Sequence, residues 1–203
     1  MIHISLTDFI DYVSKVGSSK FTLVNKIYLR DEYQPAFDFW KILREGIIEI
    51  HKKNEDKDNL DSILIGLTDK KKITRYPDLV NKYKTFLGKK VISWFDPPTH
   101  DWQKDDLTIK LNPELGLEIN GVQYVIKLYF KSESLSQMKA DIILLLMNTK
   151  LKKGVYKNVN FAVLDVGNKK LFEKTKLNET HIALLEGEAL SFINIWNSLD
   201  NEE

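Results

Sequence analysis

Residues 112–130 read NPELGLEINGVQYVIKLYF, two alternating runs about a turn dipeptide, and the architecture follows from them. Leu115 to Ile119 and Val122 to Phe130 alternate in period two on either side of Asn120-Gly121. That dipeptide tolerates the positive backbone angles of a two-residue hairpin turn. The turn pairs Ile119 with Val122, Leu117 with Tyr124 and Glu114 with Lys127. Leu115, Leu117, Ile119, Tyr124, Ile126, Leu128 and Phe130 then share one apolar face. Glu114, Gly116, Glu118, Gln123, Val125, Lys127 and Tyr129 share the other.

Downstream, Ser134 is placed to cap a helix through about Lys150, apolar on every side from Ile142 to Met147 and therefore expected to be deeply buried. Val159 to Val166 predicts a strand that Gly167-Asn168 turns into a partner near Leu171. A last strand is expected at Ile182 to Leu185, ahead of a helix with Ala189, Phe192, Ile193, Trp196 and Leu199 on one face. The acidic residues Asp200 to Glu203 read as a frayed tail. Upstream, Val91 to Phe95 and Leu107 to Leu111 read as strands, separated by a Pro97-Pro98 break and an irregular segment to Asp106.

The first half reads as helical. Ser5 with Asp8 caps a helix that Gly17 ends, and Pro35 opens a helix over 35–53 with Ala36, Trp40, Leu43, Ile47 and Ile50 on one stripe. Asn54 to Asn59 reads as a loop and Leu60 to Leu67 as a short helix. Pro77 is expected to start another helix, ending at Gly88. The fold class expected is α+β, a single domain over 1–203: a mainly helical layer at 1–90 against a mainly antiparallel sheet with two helices at 91–199.

The chain has 203 residues, 43% of them apolar, with 30 basic and 29 acidic residues for a net charge of +1. It is neither globally polybasic nor polyanionic. With no Cys there is no disulfide framework, thiolate metal site or cysteine nucleophile. No run of about 18 apolar residues is present and the start lacks a signal-like pattern, so a soluble, cytoplasmic protein without membrane contact is expected. His3, His51, His100 and His181 lack metal-ligand spacing, and no G-x-S-x-G, G-x-G-x-x-G or Walker A pattern occurs.

Charge is local instead. Lys70, Lys71, Lys72, Arg75, Lys82, Lys84, Lys89 and Lys90 stand against the single acid Asp78, with Tyr76 and Tyr83 interleaved. Lys150, Lys152, Lys153 and Lys157 form a second basic run. Clustered cations neutralise phosphates, and aromatic rings stack on unpaired bases, so nucleic acid is a candidate partner. Solvated faces of lysine-rich helices have the same composition. The aromatics and prolines between Trp94 and Trp102 suit either a protein-binding surface or a loop pinned to the core.

The hairpin brings Glu114 and Lys127 together on one sheet face, with Glu118 further along it. Carboxylates that hold Mg²⁺ beside a lysine are what metal-dependent phosphodiester cleavage requires. An ordinary cross-strand ion pair on a half-solvated sheet, worth a few tenths of a kcal/mol, accounts for the same residues.

The order helix, strand, hairpin, strand, helix, strand over 35–166 resembles the core of the PD-(D/E)XK nuclease-like superfamily, and implies a restriction-endonuclease-like core. In that family an acid stands ahead of an E-x-K or D-x-K triplet on the next strand. Pro113-Glu114 matches the first acid and Lys127 the lysine, while Val125 occupies the place of the triplet's acid. The resemblance implies catalytic Glu114, Glu118 and Lys127, with Mg²⁺ on Glu114 and Glu118. Asp165 is the other acid able to stand in for the one missing at Val125, and Glu45 or Glu49 would be the family's helical acid. Separately, Asp38-Phe39-Trp40, residues 112–116, residues 126–131 and Glu188-Ala189 resemble a bacterial family of unassigned function, which carries over no activity. Two functions are expected from this reading: a nucleic-acid-associated, nuclease-like protein, or a non-enzymatic protein-interaction module.

Overall fold

The computed structural model describes residues 1–30 and 38–200. The hairpin forms in the expected register. β5 (Leu115–Ile119) pairs antiparallel with β6 (Val122–Tyr129), and Ile119 faces Val122 while Leu117 faces Tyr124. Asn120 and Gly121 take φ of 51° and 82°, the double positive angle that the turn requires.

The other strands assemble around this pair. β2 (Ile92–Phe95) adds to β5, and β7 (Asn160–Asp165) lies parallel to β6, followed by antiparallel β8 (Lys170–Phe172). The result is a five-stranded sheet in the order β2-β5-β6-β7-β8. A second sheet is built from β1 (Ile2–Ser5), β3 (His100–Lys104) and β4 (Leu107–Leu111), with β4 central and β1 parallel to it. The fold is α+β.

Helices cover both sheets. α1 (Leu6–Val13), α2 (Ser18–Tyr28), α5 (Gln137–Leu151) and α6 (Ile182–Asp200) share one hydrophobic cluster with the three-stranded sheet and with Val125, Tyr129, Phe161 and Val163. α3 (Lys41–Lys52), a 3-10 helix at Lys57–Leu64 and α4 (Lys70–Leu87) share a second cluster with Leu115, Leu117, Ile126, Leu128, Ala162 and Leu164. Alternating residues of β6 and β7 thus enter opposite cores, as the pleat demands. α5 is buried nearly all round, as its sequence predicts.

Several local expectations are corrected. α4 starts at Lys70, so Pro77 lies inside it and not at its first turn; Asp69 caps the helix by accepting from the Lys71 amide at 2.7 Å. That cap, with Tyr76, Leu79, Val80 and Tyr83 buried, outweighs the backbone bond that Pro77 cannot donate. Residues 100–104 form β3 rather than an irregular segment, since only Trp102 of the strand is fully buried and its alternation is hidden among polar neighbours. β1 carries no distinct signal in its four residues. Ile182 to Leu185 begin α6 instead of a strand, an apolar run too short for its period to decide. Ser136 and not Ser134 caps α5, accepting from the Lys139 amide at 3.3 Å, while Ser134 accepts from the Asn168 side chain. α1 ends at Val13, ahead of Gly17, which precedes α2 with φ of 55°. α3 starts at Lys41; the expected start at Pro35 and Ala36 lies outside the described residues, as does most of the acidic tail. Among the described residues, no helix is long and apolar enough to cross a membrane.

Candidate functional site

Glu114 precedes β5 and its amide donates to the Ile126 carbonyl at 3.1 Å, which sets it opposite Lys127. The Lys127 ammonium lies 2.5 Å from Glu114 Oε1 and donates to the Asn112 carbonyl at 3.3 Å. Glu114 Oε2 accepts from the Leu128 amide at 2.7 Å. Side-chain exposure is 12% for Lys127 and 7% for Glu114, so the carboxylate is buried and the lysine largely shielded from water. Both carboxylate oxygens are already engaged.

The other acids do not join this pair. Glu118 is half-buried opposite Gln123, four residues along the strand, about 13 Å at the strand rise per residue. Asp165 is buried at the end of β7. Its oxygens accept from the amides of Leu135 at 2.9 Å and Asn168 at 3.1 Å, and from the Asn168 side chain at 2.8 Å, so it ties the turn after β7 to the segment before α5. Glu45 and Glu49 lie on α3, on the far side of the sheet, paired with Lys41 and Lys53. Val125 is fully buried and has no donor atom. Among the described residues, no group of three His, Asp or Glu is placed to hold a metal ion. The residues present do not fit the Mg²⁺ that the nuclease resemblance implies.

The eight cations of 70–90 do not form one patch. α4 has 18 residues and is about 27 Å long, so Lys70 and Lys90 stand at opposite ends. Lys82 is held by Asp78 at 2.8 Å and Lys84 by Asp61 at 2.8 Å. Tyr76 and Tyr83 are fully buried and present no stacking surface: the Tyr76 hydroxyl donates to the Phe39 carbonyl, and the Tyr83 hydroxyl lies 2.7 Å from His51 Nε2. The four lysines of 150–157 lie at the end of α5 that leads into β7, away from the start of α4.

At the start of α4 the arrangement is different. Lys70, Lys71, Thr74, Arg75 and Ser132 line an open cavity of about 550 Å³ together with Phe39 and Trp40. Among the described residues, no carboxylate lies within ion-pair distance of Lys70, Lys71 or Arg75. Trp40 is fixed by stacking on Phe130 and Tyr76, with centroids 5.6 and 6.2 Å apart. Phe39 meets Trp40 and Tyr76 at 87° and 80°, and the Lys72 ammonium stands 5.9 Å from its ring centroid. Half-buried aromatics beside cations without carboxylate partners suit a ligand that carries both a flat ring and a phosphate. In the sequence Trp40 is legible only as a core position, and neither Phe39 nor Ser132 carries a signal for a site. This groove forms because the turn before α3 and the first turn of α4 meet at the end of β6.

Within the segment from 94 to 102, Trp102 and Asp96 are tied to the rest of the fold, while Trp94 is half-buried at a cavity. Trp102 is buried against Phe9 at 5.7 Å, and the Tyr156 hydroxyl donates to the Asp96 carbonyl at 3.0 Å. Comparisons of the chain with protein-family models, curated proteins and solved structures find no match.

Proposed function

We propose that this protein binds single-stranded nucleic acid through the groove at the start of α4 and does not cut it. The observation that carries the reading is the set Lys70, Lys71 and Arg75 around the Phe39 and Trp40 rings, with no carboxylate partner among the described residues. The cations displace counterions from two or three phosphates, and a base stacks on Phe39. The engaged oxygens of Glu114 and the valine at 125 support a structural role for the ion pair instead of metal chemistry.

Fluorescence anisotropy with a labelled oligonucleotide of about twelve nucleotides tests the binding. The expected slope of log affinity against log salt is about −2 for three phosphate contacts on a single strand. Lys70→Glu with Lys71→Glu and Arg75→Glu should abolish binding, and incubation with Mg²⁺ or Mn²⁺ should leave the strand intact. No binding of DNA or RNA at low salt, or binding indifferent to the triple reversal, defeats the reading.

A further inference from the structure

A second aromatic and cationic cavity, of about 450 Å³, lies at the other end of α4, lined by Trp94, Lys57, Lys89 and Lys90 with Glu55 and Asp56. Its charges are not equally free. Lys57 donates to the Gly88 carbonyl, Asp56 accepts from the Asp58 amide at 2.8 Å, and Glu55 accepts from the Asn59 side chain at 3.0 Å. Lys89 and Lys90 are exposed, Lys90 donating to the Phe86 carbonyl in the last turn of α4 and standing 4.7 Å from the Phe86 ring centroid, and the Lys52 ammonium stands 5.7 Å from the Trp94 ring centroid. Among the described residues, none of Lys52, Lys89 and Lys90 lies within ion-pair distance of a carboxylate.

Both cavities belong to the same side of the five-stranded sheet. The first is framed by the starts of α3 and α4, and the second by their ends, through Ile50, His51, Leu87 and Gly88. The only carboxylate on α4, Asp78, is neutralised by Lys82 at 2.8 Å, so the helix between the cavities offers no unpaired acid to repel a phosphate chain. Resting on the binding reading above, we infer that one nucleic-acid strand runs along this side, held by a base on Phe39 at one end and a base on Trp94 at the other. The span of about 27 Å corresponds to about eight nucleotides at a stacked rise of 3.4 Å, and fewer in a drawn-out strand.

Two weak sites joined by one ligand act through effective concentration, which raises affinity far beyond either alone once the ligand is long enough to span. Anisotropy with oligo-dT and oligo-U of 4, 8, 12 and 20 nucleotides reads this directly, and the two series separate DNA from RNA. Affinity should rise tenfold or more between 4 and 12 nucleotides and then flatten. Lys89→Glu with Lys90→Glu should remove that step; Trp94→Ala should do the same, and the exposed lysine pair decides the matter if the tryptophan variant fails to fold. A step that survives the Lys89 and Lys90 reversals, or an affinity that grows smoothly with length, overturns the two-ended strand while leaving the first groove intact. Absence of binding at every length overturns both.

Discussion

A carboxylate and an ammonium that have lost most of their water depend on each other far more than an exposed pair does. Glu114 and Lys127 are such a pair, with the Leu128 amide and the Asn112 carbonyl completing their hydrogen bonds. Lys127→Ala leaves the carboxylate buried without its counter-charge and should cost about 3 kcal/mol. Adding Glu114→Gln should recover part of that loss, and urea denaturation of the two single variants and the double measures the coupling. Equal and additive effects of a few tenths would make the pair an ordinary surface contact. His51 is a second residue whose burial has a measurable consequence. Burial lowers its pKa from 6.5 to about 4. The unfolded chain takes up a proton below pH 6.5 that the folded chain refuses, so this contribution is complete above that pH and is lost as pH falls toward 4. The loss between pH 7 and pH 5 is about 2 kcal/mol. His51→Gln keeps a hydrogen-bonding group near the Tyr83 hydroxyl but does not titrate, and its stability should flatten over that range by this amount. An identical slope in the wild type and His51→Gln would assign the dependence to another group.

Among the elements, the hairpin is legible because two independent signals agree on one register: the alternation of both strands and the dipeptide between them. The same pairing imposes a constraint that the alternation alone does not show. Gly116 faces Phe95 across β2 and β5, and a Cβ there would lie 2.2 Å from the Phe95 carbonyl oxygen. Gly116→Ala must push the edge strand away, at an expected cost of about 1–3 kcal/mol. Hydrogen exchange should show the loss of protection concentrated in residues 92–95; uniform loss across the sheet would place the strain elsewhere. Other elements are hidden for physical reasons. β3 presents one fully buried side chain among His, Asp, Gln and Lys, so its period is carried by pairing with β4 and not by composition. The true start of α4 is masked because Pro77 resembles a first-turn residue, whereas the capping side chain is Asp69, two turns earlier along the chain.

For the molecule as an assembly of faces, the sequence carries the Glu114 and Lys127 pairing but not the side of the sheet on which each helix packs. That side decides whether the acidic and basic features cooperate. Glu114 and Lys127 share a sheet face with Val125 and Tyr129, which enter the core beneath α5, whereas α4 packs on the opposite face through Tyr76, Leu79 and Tyr83. A sheet lies between the ion pair and the groove cations, and the two sets have no shared partner in hydrogen bonds or ion pairs among the described residues. Substitutions at such separated positions act independently, with stability effects that add to within about 0.5 kcal/mol. Lys71→Glu with Arg75→Glu should therefore abolish nucleic-acid binding and leave the denaturation midpoint nearly unchanged. Lys127→Ala should lower the midpoint and leave affinity unchanged at temperatures where the variant is folded. The combination should show both losses and no more. If Lys127→Ala instead weakened binding in the folded protein, or altered the fate of the bound strand in the presence of Mn²⁺, the two faces would be one functional unit, and the ion pair would belong to the nucleic-acid site after all.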